Sequence, residues 1–271
     1  MAEETKEKAG PAEAETKPIG PPKSVFREYF ESFTVTLIMA IFGMTFVLQA
    51  VTVPTGSMQN TILVGDYLLV NKFIFTPGNN ELPFLPQRAI QRGDIIVFKY
   101  PGNKANPRKD AMRNPPLQAY QINYVKRVIG LPGEKVEFRD NHVYINDQLL
   151  PEHRITADSD DDVSALEATD VPERATEEKW SVYYSKRRFP GRDYEFAIPG
   201  KPQIVPENHF FVMGDSRDNS EDSRYWGFVP RELIIGRAMF VYWSCDRAAS
   251  NGSVAGCLTH PRLDRIFKFV K

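Results

Sequence analysis

From Ser32 to Gly65 the chain carries no charged side chain, although 25% of all its residues are charged. The first part of this gap, SFTVTLIMAIFGMTFVLQAVTV from Ser32 to Val53, is broken only by small polar residues and Gln49. As a helix its 22 residues would rise roughly 33 Å, enough for a hydrocarbon core of about 30 Å. A soluble core helix of that length should show a polar face, and this run has none of consequence. A cleaved secretory signal would have a short positive segment, about 7–15 apolar residues and a small-residue cleavage site. Here 31 residues precede the run, five of them basic and seven acidic, and LQAVTVP offers no such site. An uncleaved signal anchor over 32–53 is expected.

Orientation follows from Lys and Arg rather than from net charge. Lys6, Lys8, Lys17, Lys23 and Arg27 precede the span, whereas the first basic residue after it is Lys72. That places residues 1–31 in the cytoplasm, as a tail without apolar periodicity that is expected to be disordered, and 54–271 outside. No second run approaches 18 apolar residues, so a single pass is expected. The 34 Lys+Arg nearly balance the 35 Asp+Glu, which argues against nucleic acid as a partner. Two cysteines are too few for a disulfide scaffold or a structural zinc cluster. Cys245 and Cys257 would lie on the oxidising side of a membrane; a disulfide and two buried thiols both fit, because sequence carries no geometry.

Beyond Val53 the pattern is β-rich. Runs such as YLLVN, DIIVFKY, NYVKRVI, KVEF, HVYI, WSVYY, YEFAI, HFFVM and IIGRAMFVYW alternate with Gly/Pro punctuation, which predicts an all-β domain. Arg139-Asp140-Asn141 predicts a tight hairpin of open turn type. Residues 101–118 read as an exposed loop. Residues 156–179, with nine acidic and two basic side chains, read as a solvated loop or a partly helical insertion.

Three strings invite chemistry. Pro54-Thr55-Gly56-Ser57-Met58, just beyond the span, is a turn that can expose a hydroxyl, but it is not a G-x-S-x-G elbow. A serine nucleophile needs a base. None of His142, His153, His209 and His260 lies in a catalytic or zinc-binding string, which leaves lysine. Lys126 and Arg127 sit side by side in an apolar strand, so alternation sends them to opposite faces and one must point inward or into a cleft. A lysine at about 10.4 is no base at neutral pH, whereas burial can lower it by about 3–5 units. From the strand alone, a snorkelling edge lysine is the favoured reading over a buried base. The acidic string from Gly214 to Gly227 fails the EF-hand register and suits a polar buttress, with Asp222 and Arg224 as an ion pair and Ser220 or Ser223 bonding an uncharged lysine.

Taken together, these strings resemble the bacterial type I signal peptidases, membrane-anchored serine/lysine proteases. The likeness spans the apolar run, PTGSM, GDYLLVNKF, RGDIIVFKYP, YVKRVIGLPGE and GDSRDNSEDSRYWGFVP, in that order. It implies an all-β catalytic domain with a signal-peptidase-like barrel or sandwich core and a smaller inserted β-subdomain at about 146–200, on a single N-terminal transmembrane helix. It makes Ser57 the nucleophile and Lys126 the general base, and it implies an oxyanion hole of the Ser57 N–H and the Thr55 hydroxyl. Many members have serine where Thr55 stands. Ser220 matches the residue bonding the lysine, Asp222 and Arg224 the supporting pair. Val53, Met58, Ile62, Tyr124 and Val125 match positions lining subsites for small side chains. The implied partners are signal-peptide-bearing preproteins and membrane lipid, at the bacterial cytoplasmic membrane; no metal or cofactor is implied. Self-cleaving repressor-type proteins share the core fold, and the span and the long last string argue against them. An inactive membrane-tethered β-domain that only binds exported peptides is the alternative from another class.

Overall fold

The computed structural model describes residues 24–75, 87–158, 163–186, 194–250 and 252–270. Most of the expected cytoplasmic tail, 1–23, lies outside them. The N-terminal helix and the chain from Gly43 onward are two compact units.

Helix α1 covers Val25–Phe42 and begins seven residues before the expected start of the span. The Ser24 hydroxyl accepts from the Arg27 N–H at 3.3 Å, and Arg27 pairs with Glu31 one turn on at 2.8 Å, so this polar flank is helical too. A π turn at Gly43–Val47 extends the apolar helical stretch to 23 unburied residues, Val25–Val47, long and apolar enough to cross a membrane. The helical stretch stops at Val47, six residues before Val53. Strand β1 (Leu48–Thr52) pairs antiparallel with β2 (Asp66–Asn71), from Leu48 opposite Asn71 to Thr52 opposite Tyr67. A continuous apolar run cannot by itself separate a membrane helix from the buried strand that follows it.

Strands β3 (Ile95–Lys99) and β4 (Asn123–Gly130) come next, joined by a loop holding α2 (Pro107–Ala111). This loop is not wholly exposed. Asp110 is buried and accepts from the Tyr100 hydroxyl at 2.9 Å and from the Asn103 N–H at 2.8 Å. A meander follows of β5 (Lys135–Arg139), β6 (His142–Ile145) and β7 (Gln148–Leu149). The Asp140-Asn141 turn has φ of 50° and 58°, as a two-residue type I′ hairpin requires. Then come β8 (His153–Asp158), β9 (Glu167–Asp170) and β10 (Ser181–Tyr184). Among its described residues the acidic stretch is mostly exposed loop and turn, as over 171–179, with strand at its start in β8 and at β9, which lies antiparallel to β8, and no helix. Its residues 159–162 lie outside the description. The chain ends with β11 (Gln203–Ile204), β12 (His209–Met213), α3 (Ser223–Trp226), β13 (Val229–Pro230), β14 (Ile234–Ser244) and α4 (Val254–Thr259). YEFAI forms no strand; only an isolated bridge joins Ile198 to Lys201.

The all-β domain expected from the sequence is thus present, as three sheets. The main one has seven strands in the order β1-β2-β14-β3-β4-β12-β13, with β10-β8-β9 and β11-β5-β6-β7 as smaller sheets. Both faces of the main sheet are covered. Ile96, Phe98, Val128 and Val212 pack with Trp226 on one side. The other side carries Ile95, Leu68, Ala238 and Val241 with Met58 and Ile62. Cys245 and Cys257 form a disulfide across the C-terminal loop.

Candidate active site

Ser57 lies on a single 3-10 turn, Gly56–Met58, between β1 and β2. The turn is closed by the Gln59 N–H on Gly56 O at 2.9 Å and by the Ile62 N–H on Met58 O at 2.7 Å. Met58 and Ile62, 1% and 0% exposed, anchor it into the apolar cluster below. Ser57 itself is buried at 8% exposure, in the first turn of the helix, where a backbone N–H has no intrahelical acceptor.

β4 brings Lys126 to this turn. Lys126 and Arg127 take opposite faces as alternation requires, and both are buried, because the central position of β4 leaves neither face open. Lys126 Nζ donates a hydrogen bond to Ser57 Oγ and stands 5.5 Å from the centre of the Tyr124 ring. Among the described residues it has no carboxylate within ion-pair distance. Burial lowers its pKa to about 8, against the opposing field of Asp222, Glu221 and Asp215. A buried amine of this kind, touching a hydroxyl, can take that hydroxyl's proton.

The buttress is built around Asp222. Its Oδ2 accepts from Ser220 Oγ at 2.7 Å, from the Gly214 N–H at 3.1 Å and from Arg224 Nη2 at 2.8 Å; Oδ1 takes Arg224 Nε at 2.8 Å. Burial would raise the Asp222 carboxyl, but the Arg224 charge and these bonds hold it below the usual range. The hydrogen bond made by Ser220 thus goes to Asp222 and not to Lys126. Gly214 packs so tightly that a Cβ would lie 2.3 Å from Ser220 Oγ and 2.4 Å from Ser57 O. The Ser216 N–H bonds Ser57 O at 3.2 Å, so the acidic string is fastened directly to the serine turn.

Thr55 occupies the N-cap position, exposed, with no side-chain capping bond. Tyr124 and Val125 keep partial exposure. Val53, Met58 and Ile62, expected to line subsites, are buried and belong to one apolar cluster.

Asp215 and Arg127 were not assigned from the sequence. The Asp215 carboxylate is forked by Arg127 at 2.8 and 2.7 Å and accepts from Thr61 Oγ1 at 2.6 Å. The adjacency of Arg127 to Lys126 was the available signal, since the second cation of the strand also needs a buried partner.

Residues 26–243 match the family described as signal peptidase, peptidase S26. Signal peptidase I of Pseudomonas fluorescens is 34% identical over 233 residues, which cover 80% of this chain and 72% of that protein. Signal peptidase I of Rickettsia typhi is 31% identical over 237 residues, covering 80% of each. A crystal structure of a signal peptidase I from Enterococcus faecalis V583 is 26% identical with a TM-score of 0.31, covering 55% of this chain and 97% of that one.

Proposed function

The chain belongs to the signal peptidase family, peptidase S26, and we propose that it removes N-terminal signal peptides from exported preproteins by a serine/lysine mechanism. The observation that carries the mechanism is the contact between the buried Lys126 amine and Ser57 Oγ.

Neutral Lys126 accepts the Ser57 proton as Oγ attacks the scissile carbonyl. With the lysine at about 8, about a tenth of the molecules hold it neutral at pH 7, far more than an ordinary lysine near 10.4 allows. The tetrahedral oxyanion is held by the Ser57 N–H and by the Thr55 hydroxyl; one such donor contributes about 3–4 kcal/mol. The charged Lys126 then protonates the leaving amine, and water releases the acyl group with Lys126 again as base. Asp222, Arg224 and Ser220 hold the wall around the lysine. Tyr124 and Val125, over the floor formed by Val53, Met58 and Ile62, form shallow apolar subsites that admit small residues one and three positions before the cut.

The N-terminal apolar helix suits a membrane-anchored protein. With basic residues concentrated before it, the N-terminus faces the cytoplasm and the catalytic domain the outer side of a bacterial cytoplasmic membrane, where the cut regions of preproteins emerge.

The test is cleavage of a preprotein with an Ala-x-Ala site by the detergent-purified protein beside Ser57→Ala and Lys126→Ala. Cleavage after the site by the unaltered protein alone supports the dyad. Full activity of Lys126→Ala would remove the lysine from the mechanism and leave only the family.

A further inference from the structure

The two residues that follow the serine turn, Gln59 and Asn60, do not point into the core with Met58 and Ile62 as a pair. Gln59 is 1% exposed, and its amide spans two other parts of the chain. Nε2 donates to Ser164 O at 2.8 Å, and Oε1 accepts from Asn219 Nδ2 at 3.3 Å. Asn60 has φ of +68°, a left-handed conformation that asparagine tolerates better than most residues. From there its amide engages both backbone groups of Leu166: Oδ1 accepts the Leu166 N–H at 2.8 Å, and Nδ2 donates to Leu166 O at 3.1 Å. One side chain thus pairs with the segment leading into β9 much as a neighbouring strand would.

The same subdomain is tied to the opposite side of the site. The Tyr183 N–H of β10 bonds Asp215 O at 2.8 Å, and the Ser185 N–H bonds Asp218 Oδ2 at 2.9 Å. The insertion therefore grips both strings that meet at Ser57.

We propose that Ser164–Leu166 of the acidic insertion is a positioning element for the serine, clasping the turn Gly56–Met58 through the amides of Gln59 and Asn60. The inference rests on Ser57 being the reacting hydroxyl. Its basis is geometric: a three-residue turn has only one or two internal bonds, so external bonds must hold its serine at the lysine. A displacement of about 1 Å at such a group can cost about 100-fold in rate. Asn60 is a positioning residue, since it acts on the turn and not on the substrate.

The test uses the full chain in detergent with the Ala-x-Ala preprotein. Asn60→Gly removes the amide while accepting the positive φ. Leu166→Pro removes the N–H that Asn60 holds and leaves the serine string unchanged, so it carries the test if the glycine variant does not fold. Each is expected to lower kcat about tenfold with KM within twofold, and the double variant to be no slower than either, because both break one clasp. A kcat within twofold of the unaltered protein for either folded variant, or losses that multiply in the double variant, would overturn the proposal. Ser57→Ala runs in parallel. If it is inactive while Asn60→Gly cleaves normally, only the clasp fails; if Ser57→Ala cleaves, the assignment of the serine fails and the clasp with it.

Discussion

Replacing Lys126 by methionine is expected to make the folded protein more stable while abolishing cleavage. The lysine is 4% exposed and its pKa is lowered from 10.5 to about 8, a difference of 2.5 units. At about 1.4 kcal/mol for each pKa step, keeping its charged form buried costs the folded state about 3–4 kcal/mol. The pH dependence has a fixed sign. Below pH 8 the lysine is protonated both folded and unfolded, and the full cost is present. Between pH 8 and 10.5 the folded protein holds it neutral while the unfolded chain still binds the proton, so the cost shrinks as pH rises and vanishes above 10.5. Methionine has similar volume, no charge and no need of a partner. Urea unfolding of the detergent-solubilised protein at pH 6, 8 and 10 should therefore show Lys126→Met ahead by up to about 3–4 kcal/mol at pH 6, with a gap that closes toward pH 10.5. A variant no more stable than the unaltered protein at pH 6, or a gain that does not change with pH, would refute the claim that burial depresses this lysine.

The same depressed lysine sets the acidic limb of kcat/KM, which should fall as pH drops through about 8; a limb near 10 would mean that burial does not depress the base. Asp222→Asn removes a charge that raises the lysine and leaves Arg224 unpaired, so the limb should move to lower pH and the fold should lose about 3–5 kcal/mol, as read by pH-rate profiles and urea titration. Thr55→Val keeps the shape of the side chain and deletes the hydroxyl, and should lower kcat by about 100-fold or more, whereas Thr55→Ser should stay near the starting rate. Gly214→Ala places a Cβ 2.4 Å from the carbonyl of Ser57 and should lower kcat by about 100-fold with little effect on KM, measured by preprotein cleavage.

Local patterns made much of the architecture legible before any coordinates. Strands β2, β4, β12 and β14 follow apolar runs bounded by Gly, Pro or Asn, and the tight hairpin at Asp140-Asn141 follows from residues that accept positive φ. The apolar run misled at its end because β1 is as apolar as the helix before it, and only its partner β2, not its own residues, makes it a strand. YEFAI has strand composition but bonds elsewhere: the Glu195 and Phe196 N–H groups go to Arg224 O. Within the acidic insertion the four-residue strand β9 was not legible, because an exposed strand lacks the apolar alternation that reveals a buried one. In the site, the positions of Ser57, Lys126, Ser220, Asp222 and Arg224 could be read as a group. The Ser220–Asp222 bond and the links of Asn60 to Leu166 and of Arg127 to Asp215 could not, since each depends on how distant segments meet.

Four arginines buried in this domain show what sets Lys126 apart. Arg127 is paired with Asp215, Arg217 with Glu152, Arg224 with Asp222 and Arg265 with Asp66, every guanidinium 6% exposed or less. Burial alone would push Arg217, Arg224 and Lys126 toward their neutral forms. For Arg217 and Arg224 the partner carboxylate outweighs burial and the pKa rises, so the charge is locked in place. Lys126 meets the same burial with a hydroxyl as its hydrogen-bond partner, and there burial outweighs the field of more distant carboxylates and the pKa falls. Two of these pairs bear on the outcome: Arg224 and Arg127 engage Asp222 and Asp215, carboxylates whose fields raise the amine. Asp222 shows the point most directly, because its field on the lysine is the strongest of the carboxylates and it is held by Arg224 through two bonds of 2.8 Å. Pairs usually read as scaffolding therefore also protect the reactivity of Lys126, which among the described residues has no carboxylate within ion-pair distance, and removing Arg224 or Arg127 should be felt in its titration as a rise.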